Sequence, residues 1–207
     1  LAERILTAHD GRLTGVTLSP SQLAWSQDRM AREGLSARAD LRLQDYRDVD
    51  GRFDRIVSIE MLEAVGEAYW PTYFRTLHDR LAPGGAAVLQ VITIAEDRYA
   101  AYRRGADFIQ RHIFPGGMLP TPRILHDLAA ASGLRIDHQE TFGMSYARTL
   151  ADWHHRFLQA LPDVARCGLD ERFQRLWRYY LAYCEGGFRA GAIDVGFYRL
   201  RRAGVAS

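Results

Sequence analysis

Two glutamates three residues apart, Glu60 and Glu63, close an alternating apolar run in the stretch FDRIVSIEMLEAVG, residues 53–66. Carboxylates where a strand stops can hold hydrogen-bond donors, exchange protons or complement a cation. On a helix, a spacing of three puts both on one face. Glu60 reads as a first-turn carboxylate favoured by the helix dipole. Glu63 is flanked by Leu62, Ala64 and Val65, so it is expected to be partly buried, and a buried carboxylate needs a partner.

Three more polar positions stand at the ends of apolar segments. Gln90 interrupts AAVLQVITI, residues 86–94, and must find hydrogen bonds inside the protein, either in a structural network or in a site. Asp45 follows Gln44 at the end of ADLRLQ; it could accept from a ribose or an adenine, or cap a turn. Ser58 lies near the end of FDRIVSI. The seven histidines show no HExxH or HxH spacing, and His154 and His155 diverge on a helix, so no metal site is expected.

These residues need elements to hold them. Strands are expected at residues 13–18, 39–44, Phe53–Ile59, 86–94, 134–142 and 194–201. Helices are expected at 1–9, from Ser19 to near Gly34, at 69–81, 96–112, 123–132, 147–161 and Glu171–Arg189. Ser19, Pro20 and Gln22 read as a capping box, Thr121-Pro122 as a cap, and Pro83-Gly84-Gly85 as a helix stop. Strands alternating with helices imply a doubly wound, largely parallel sheet. In such a sheet ligands bind beyond the carboxyl ends of the strands. That rule groups Thr17-Leu18, Gln44-Asp45-Tyr46, residues 58–63 and residues 90–92 on one rim.

The 207 residues suit a single α/β domain with helical insertions at about 96–120 and 147–189. A formal charge of +2, with all basic residues arginine and mostly interspersed, does not suggest nucleic-acid binding. Cys167 and Cys184 have no CxxC spacing and read as reduced thiols, and no apolar run is long enough to span a membrane. The aromatic cluster of Trp177, Tyr179, Tyr180, Tyr183 and Phe188 reads either as plain helix core or as a wall facing lipid.

The blocks GVTLSPSQL, LQDYRD, FDRIVSIEMLEAVG, FPGGMLP and the helical stretch Trp177–Arg189 together resemble the cyclopropane-fatty-acyl-phospholipid synthases, from about residue 13 to 202. The resemblance implies a Rossmann-like, S-adenosylmethionine-dependent methyltransferase fold, mostly parallel with an antiparallel last strand. It implies methylene transfer to a cis double bond of a phospholipid acyl chain, with a bound bicarbonate taking the proton. Matched residue by residue, Glu63, Ile92 and Tyr146 fall on the bicarbonate network, and Gln90 stands where many members have histidine. Thr17, Leu18 and Gln22 fall beside the cofactor's ribose and methionine, Gln44 and Asp45 on its adenine side, and Ser58 beneath its methionine. The resemblance further implies a cytoplasmic enzyme peripherally associated with the inner face of the membrane, and it allows a homodimer. A small-molecule amine methyltransferase and an inactive binding subunit are the competing functions.

The chain departs from the family at its front, where the first strand with its glycine-rich loop and the upstream cysteine of the bicarbonate site are missing. It therefore reads as an amino-truncated fragment whose absent central strand would leave two apolar sheet edges unpaired. This chain by itself is expected to bind S-adenosylmethionine weakly. Titration calorimetry checks this, and a micromolar dissociation constant would overturn it.

Overall fold

The computed structural model of the chain describes residues 1–204. It resolves into two compact units, Leu1–Gly51 and Arg52–Ser207. The first unit holds helix α1 (Ala2–Ala8), strand β1 (Leu13–Thr17), helix α2 (Pro20–Arg32) and strand β2 (Ala39–Leu43). β1 and β2 pair in parallel from Leu13↔Ala39 to Thr17↔Leu43. A Cβ at Gly15 would lie 2.8 Å from the Leu41 side chain, so this strand position takes glycine for close packing. Ser19 caps α2 by accepting from the Gln22 amide at 3.3 Å. The expected capping box is not completed, because the Gln22 side chain instead accepts from the Thr17 hydroxyl at 2.8 Å.

The second unit is built on strands β3 (Phe53–Ile59), β4 (Leu81–Ile94), β5 (Leu134–Thr141) and β6 (Ile193–Arg202), in the order β3-β4-β6-β5. β3 and β4 are parallel, and only β6 runs against its neighbours, as the expected antiparallel last strand. The strands therefore form two hydrogen-bonded sheets where the sequence suggests one. Each sheet has an open edge, since β1 pairs only with β2 and β3 only with β4. On β3, Val57 and Ile59 are 45% and 44% exposed. β4 is the central strand, and Leu89 and Val91 are buried on one of its faces. Gln90 and Ile92, two apart, share the other face, which is less completely covered.

Helix α3 (Leu62–Val65) follows β3, and α4 (Trp70–Arg80) precedes β4. α4 ends at Arg80, before the proline–glycine stop. Pro83-Gly84-Gly85 instead lies within β4, where the pairing with β3 slips between Phe53 and Arg55. A Cβ at Gly85 would stand 2.9 Å from the carbonyls of Ala82 and Asp54, so the slip leaves room only for glycine. The helix expected at 96–112 is two, α5 (Glu96–Arg104) and α6 (Phe108–His112), broken at Gly105. Asp107 and Gln110 form a capping box that restarts the chain, and a cap of this kind competes with helix continuation. α7 (Pro122–Ala131) starts at the fully buried cap Thr121.

Helices α8 (Gly143–Gln159), α9 (Leu161–Arg166) and α10 (Glu171–Arg189) complete the unit. α8 starts at Gly143 rather than at residue 147, because Asp194 accepts from the Gly143 amide at 2.9 Å, and α9 was not anticipated. Ala147 and Leu150 of α8 pack with Leu181 and Phe188 of α10 and Val195 of β6 in one buried cluster. No helix among the described residues is long and apolar enough to cross a membrane.

A Cβ at Gly196 in β6 would sit 2.7 Å from the Glu140 carbonyl of β5. Gly196→Ala is therefore expected to destabilise the fold by about 1–3 kcal/mol. Gly186, inside α10 with open space where its Cβ would go, should gain up to about 1 kcal/mol on substitution by alanine. Thermal unfolding of the two variants should shift the midpoint in opposite directions.

Candidate active site

The site begins where β3 leaves β4. Their ladder runs to Ile59↔Gln90, and the Glu60 amide still donates to the Gln90 carbonyl at 2.8 Å. At Glu60 the backbone then turns through φ +49°, the one positive φ outside glycine among the described residues. Such a conformation costs roughly 1–3 kcal/mol, and the surrounding bonds must hold it. Beyond the turn, the next β4 amide facing this edge, that of Ile92, has no β3 carbonyl to meet. The Glu63 carboxylate takes it instead, with Oε1 accepting from Ile92 N at 2.7 Å.

The turn is anchored from both sides. Leu62 is buried, and its carbonyl accepts from the Trp70 indole at 3.2 Å. The carbonyl of Glu63 accepts from the Met118 amide at 2.9 Å, which fastens the FPGGMLP loop to the junction. Gln110 holds the same loop by donating to the Gly117 carbonyl at 2.8 Å. Glu67 accepts from the Tyr99 hydroxyl at 3.0 Å and from Arg103 at 2.9 Å, tying α5 to the residues after α3.

Glu60 is the residue that the sequence reading placed wrongly. It does not act as a first-turn carboxylate, because the helix starts only at Leu62. Its Oε1 accepts from the Gln90 side-chain amide at 2.7 Å and from the Tyr146 hydroxyl of α8, and Gln90 also donates to that hydroxyl. The Tyr146 ring is held between Phe142 and Phe188, with centroids at 5.9 and 5.4 Å. The structure thus brings Glu63, Gln90, Ile92 and Tyr146 together and adds Glu60. The signal that could have located Glu60 is its place directly after Ile59 opposite Gln90, a register that spacing alone does not reveal.

The electrostatics of the cluster are anionic. Burial raises the Glu63 carboxyl to about 7; the Ile92 amide opposes the rise and the charge of Glu60 adds to it. Glu63 Oε2 is enclosed without a hydrogen-bond partner. The Tyr146 phenol is pushed far above its ordinary range, first by burial and then by its bond to Glu60. Tyr180, on the inner side of α10, is pushed up to about 12 by burial, with the Cys184 thiol and Glu60 adding to the effect. Among the described residues no cation contributes to any of the three. Such a group can stabilise positive charge, and it holds two carboxylates in different environments.

Of the expected cofactor residues, Ser58 lies on β3 and accepts from the Tyr73 hydroxyl at 2.7 Å. The other five belong to the first unit. Thr17 and Gln22 are bonded to each other, and Leu18 stands 72% exposed beside them at the carboxyl end of β1. Gln44 donates to the Asp48 carbonyl at 2.7 Å. Asp45 caps the turn at Tyr46–Asp48 and pairs with Arg47 at 2.7 Å, which holds its carboxyl below the usual range. An exposed leucine among amides and hydroxyls at the ends of parallel strands fits a nucleoside ligand such as S-adenosylmethionine. Bicarbonate fits less well. Gln90 and Tyr146 already donate to Glu60, Ile92 already donates to Glu63, and among the described residues no cation offsets a further anion.

The mycolic acid cyclopropane synthetase family matches residues 1–197. The chain is 42% identical over 198 residues to tuberculostearic acid methyltransferase UfaA1 of Mycobacterium tuberculosis, covering 95% of this chain and 46% of that protein. It is 36% identical over 195 residues to cyclopropane-fatty-acyl-phospholipid synthase of Escherichia coli K12, covering 94% and 48%. The chain thus spans about half the length of these curated relatives. The crystal structure of mycolic acid cyclopropane synthase CmaA1 complexed with SAH and CTAB aligns with a TM-score of 0.88 at 27% identity, over 97% of this chain and 73% of that one. With the family match running through both units and the fold aligned over nearly its whole length, this chain belongs to the mycolic acid cyclopropane synthetase family.

Proposed function

We propose that the protein carrying this chain uses S-adenosylmethionine to transfer a one-carbon unit to the cis double bond of a phospholipid acyl chain, closing a cyclopropane ring. The observation that carries the reading is the anionic cluster of Glu60, Glu63, Gln90 and Tyr146 at the carboxyl ends of β3 and β4. The names of the relatives, which are lipid methyltransferases and cyclopropane synthases, support it. A second reading, methyl addition without ring closure, is favoured by the relative that acts in tuberculostearic acid formation.

S-adenosylmethionine, when bound, supplies a methyl group made electrophilic by its sulfonium. Within the first unit, Thr17, Leu18, Gln22, Gln44 and Asp45 are residues that would hold its nucleoside, and in the second unit Ser58 is the residue matched to its methionine. The chain's part in the reaction is electrostatic. As the alkene takes up the methyl carbon, positive charge appears on the acyl chain, and preorganised carboxylates in a water-poor site stabilise it without reorganising. Glu63 keeps the end of β4 and the FPGGMLP loop in register and adds its charge when ionised. The acyl chain itself needs an apolar wall. Trp153, Phe157, Trp177, Tyr180 and Leu181 line an open groove of about 530 Å³ between α8 and α10 that suits one.

The same helices suit a membrane surface. Trp153 is 50% exposed and Tyr179 54%, and amphipathic aromatic rings of this kind favour the interface between water and lipid. Peripheral docking from the cytoplasmic side, with no spanning segment from these helices, is the arrangement we infer. No proton transfer is routed through bicarbonate, because the donors expected to hold it are committed to the two carboxylates.

Glu63→Gln keeps an acceptor for the Ile92 amide and removes the charge. In the full-length protein it is expected to lower formation of ring-bearing lipid on the order of 10²-fold, read by mass spectrometry of unsaturated phospholipid vesicles. A ring-bearing product in the wild type confirms the first reading, a methyl-branched one the second, and a methylated amine would overturn both.

The raised carboxyl of Glu63 predicts opposite pH trends for stability and activity. The folded state holds this proton more tightly than the unfolded chain does, so the stability it contributes is present below the ordinary carboxylate range. That stability is lost as pH rises through about 7. Activity should instead rise through the same interval as the charge appears. Glu63→Gln should flatten both trends, which melting curves and rate profiles would show.

A further inference from the structure

We infer that the carboxylate of Glu60 is the proton acceptor of the reaction, doing with a side chain what a bound bicarbonate would otherwise do. This rests on the proposed function and goes beyond it by giving the base an identity.

Three observations carry the inference. First, the groups expected to receive a bicarbonate are already occupied by protein carboxylates. The Gln90 amide, at 2.7 Å, and the Tyr146 hydroxyl both donate to Glu60 Oε1, and the Ile92 amide donates to Glu63 Oε1 at 2.7 Å. Second, the described residues supply no positive charge at the cluster that would offset one more anion. The charge of Glu60 raises the Glu63 carboxyl, and among the described residues no arginine contributes to the environment of Glu63, Tyr146 or Tyr180. Third, the backbone at Glu60 adopts φ +49°, a conformation that glycine would take freely. A side chain maintained there at conformational cost, with its head group aimed at Gln90 and Tyr146, marks a place where the carboxylate itself is used.

The geometry separates the two oxygens of Glu60. Both hydrogen bonds fall on Oε1, which fixes the head group. Oε2 accepts no hydrogen bond among the described residues and, unlike Glu63 Oε2, is not fully enclosed. It is the oxygen left to meet a substrate.

The chemistry balances with this one base. The alkene π pair forms a bond to the methyl carbon, the carbon–sulfur bond breaks, and its electron pair leaves with the thioether product. The acyl chain is left as a carbocation. A C–H bond of the transferred methyl then breaks. Its electron pair closes the third side of the ring, and its proton goes to Glu60 Oε2. The methyl stands on the carbon next to the cationic one, and because its C–H pair closes the ring as the proton leaves, a carboxylate placed against that methyl can take the proton, with position deciding the rate. Gln90 and Tyr146 act as positioning residues, because they orient Glu60 and do not take the proton.

The test uses the full-length protein with vesicles of a cis-unsaturated phospholipid in buffer freed of carbon dioxide. The wild type should form product at the same rate with and without added bicarbonate. Glu60→Gln should lose on the order of 10²–10⁴-fold in rate while retaining the wild-type melting temperature. Glu60→Gly relieves the backbone and vacates the anion position. It should lose the rate to a similar degree, recover part of it on addition of bicarbonate or formate, and keep the fold even if the glutamine variant does not.

A second readout is independent of turnover. Carbon-13-labelled bicarbonate should show no line broadening with the wild type and clear broadening with Glu60→Gly. The inference is overturned by a wild type that needs bicarbonate, by one that binds the labelled anion, or by a folded Glu60→Gln that keeps the wild-type rate. If the wild type makes no lipid product at all, the proposed function fails, whereas the labelled-anion measurement still decides which group fills the position beside Gln90 and Tyr146.

Discussion

The structure depends on one substitution of acceptors. A parallel ladder between β3 and β4 would continue to pair amides with carbonyls. Here β3 turns away at Glu60, and the Glu63 carboxylate accepts from the Ile92 amide in place of a strand carbonyl. An unpaired amide at the end of a central strand would be costly, so the bond stabilises the sheet. It also commits a carboxylate to a poorly hydrated position. The group that completes the ladder is therefore the group whose ionisation is displaced.

From that junction the cover follows. The backbone of Glu63 holds Met118, and Glu67 holds Tyr99 and Arg103, so the segments after β4 are tied to the turn rather than laid over it. On the other side Tyr146 brings α8 to Glu60, and its ring rests on Phe188 of α10. Asp107, the cap that restarts α6, also accepts from Tyr183 of α10 at 3.1 Å. The inserted helices are thus joined to the site and to one another through polar contacts, while the cluster of Ala147, Leu150, Leu181, Phe188 and Val195 provides the apolar packing beneath.

The aromatic residues of α10 divide between the two roles open to them from sequence. Leu181 and Phe188 are buried, and Trp177 and Tyr180 pack against the same cluster, so part of the stripe is core. Tyr179 and Tyr183 remain 54% and 40% exposed and lie against Phe108. A helix of 19 residues presents more than one face, and its neighbours cover only some of them.

The sequence by itself determined the six strands in their order and the bounds of β3 and α10, because apolar periodicity and caps act locally. It also determined that Glu63 would be partly buried, since its neighbours on both sides are apolar, and that Gln90 would need partners. Its reading of Pro83-Gly84-Gly85 as a helix stop and of residues 96–112 as one helix failed where a strand register and a capping box outweighed local propensity. Only the tertiary structure decided which partners the polar groups found. Ile59 stands opposite Gln90 through strand pairing, and Tyr146 arrives from a residue 86 positions away from Glu60. Neither distance is encoded in spacing. Glu60 consequently looked like a helix-start carboxylate in the sequence and became the centre of the site in the fold, because hydrogen bonds between distant segments are formed only when packing brings those segments together.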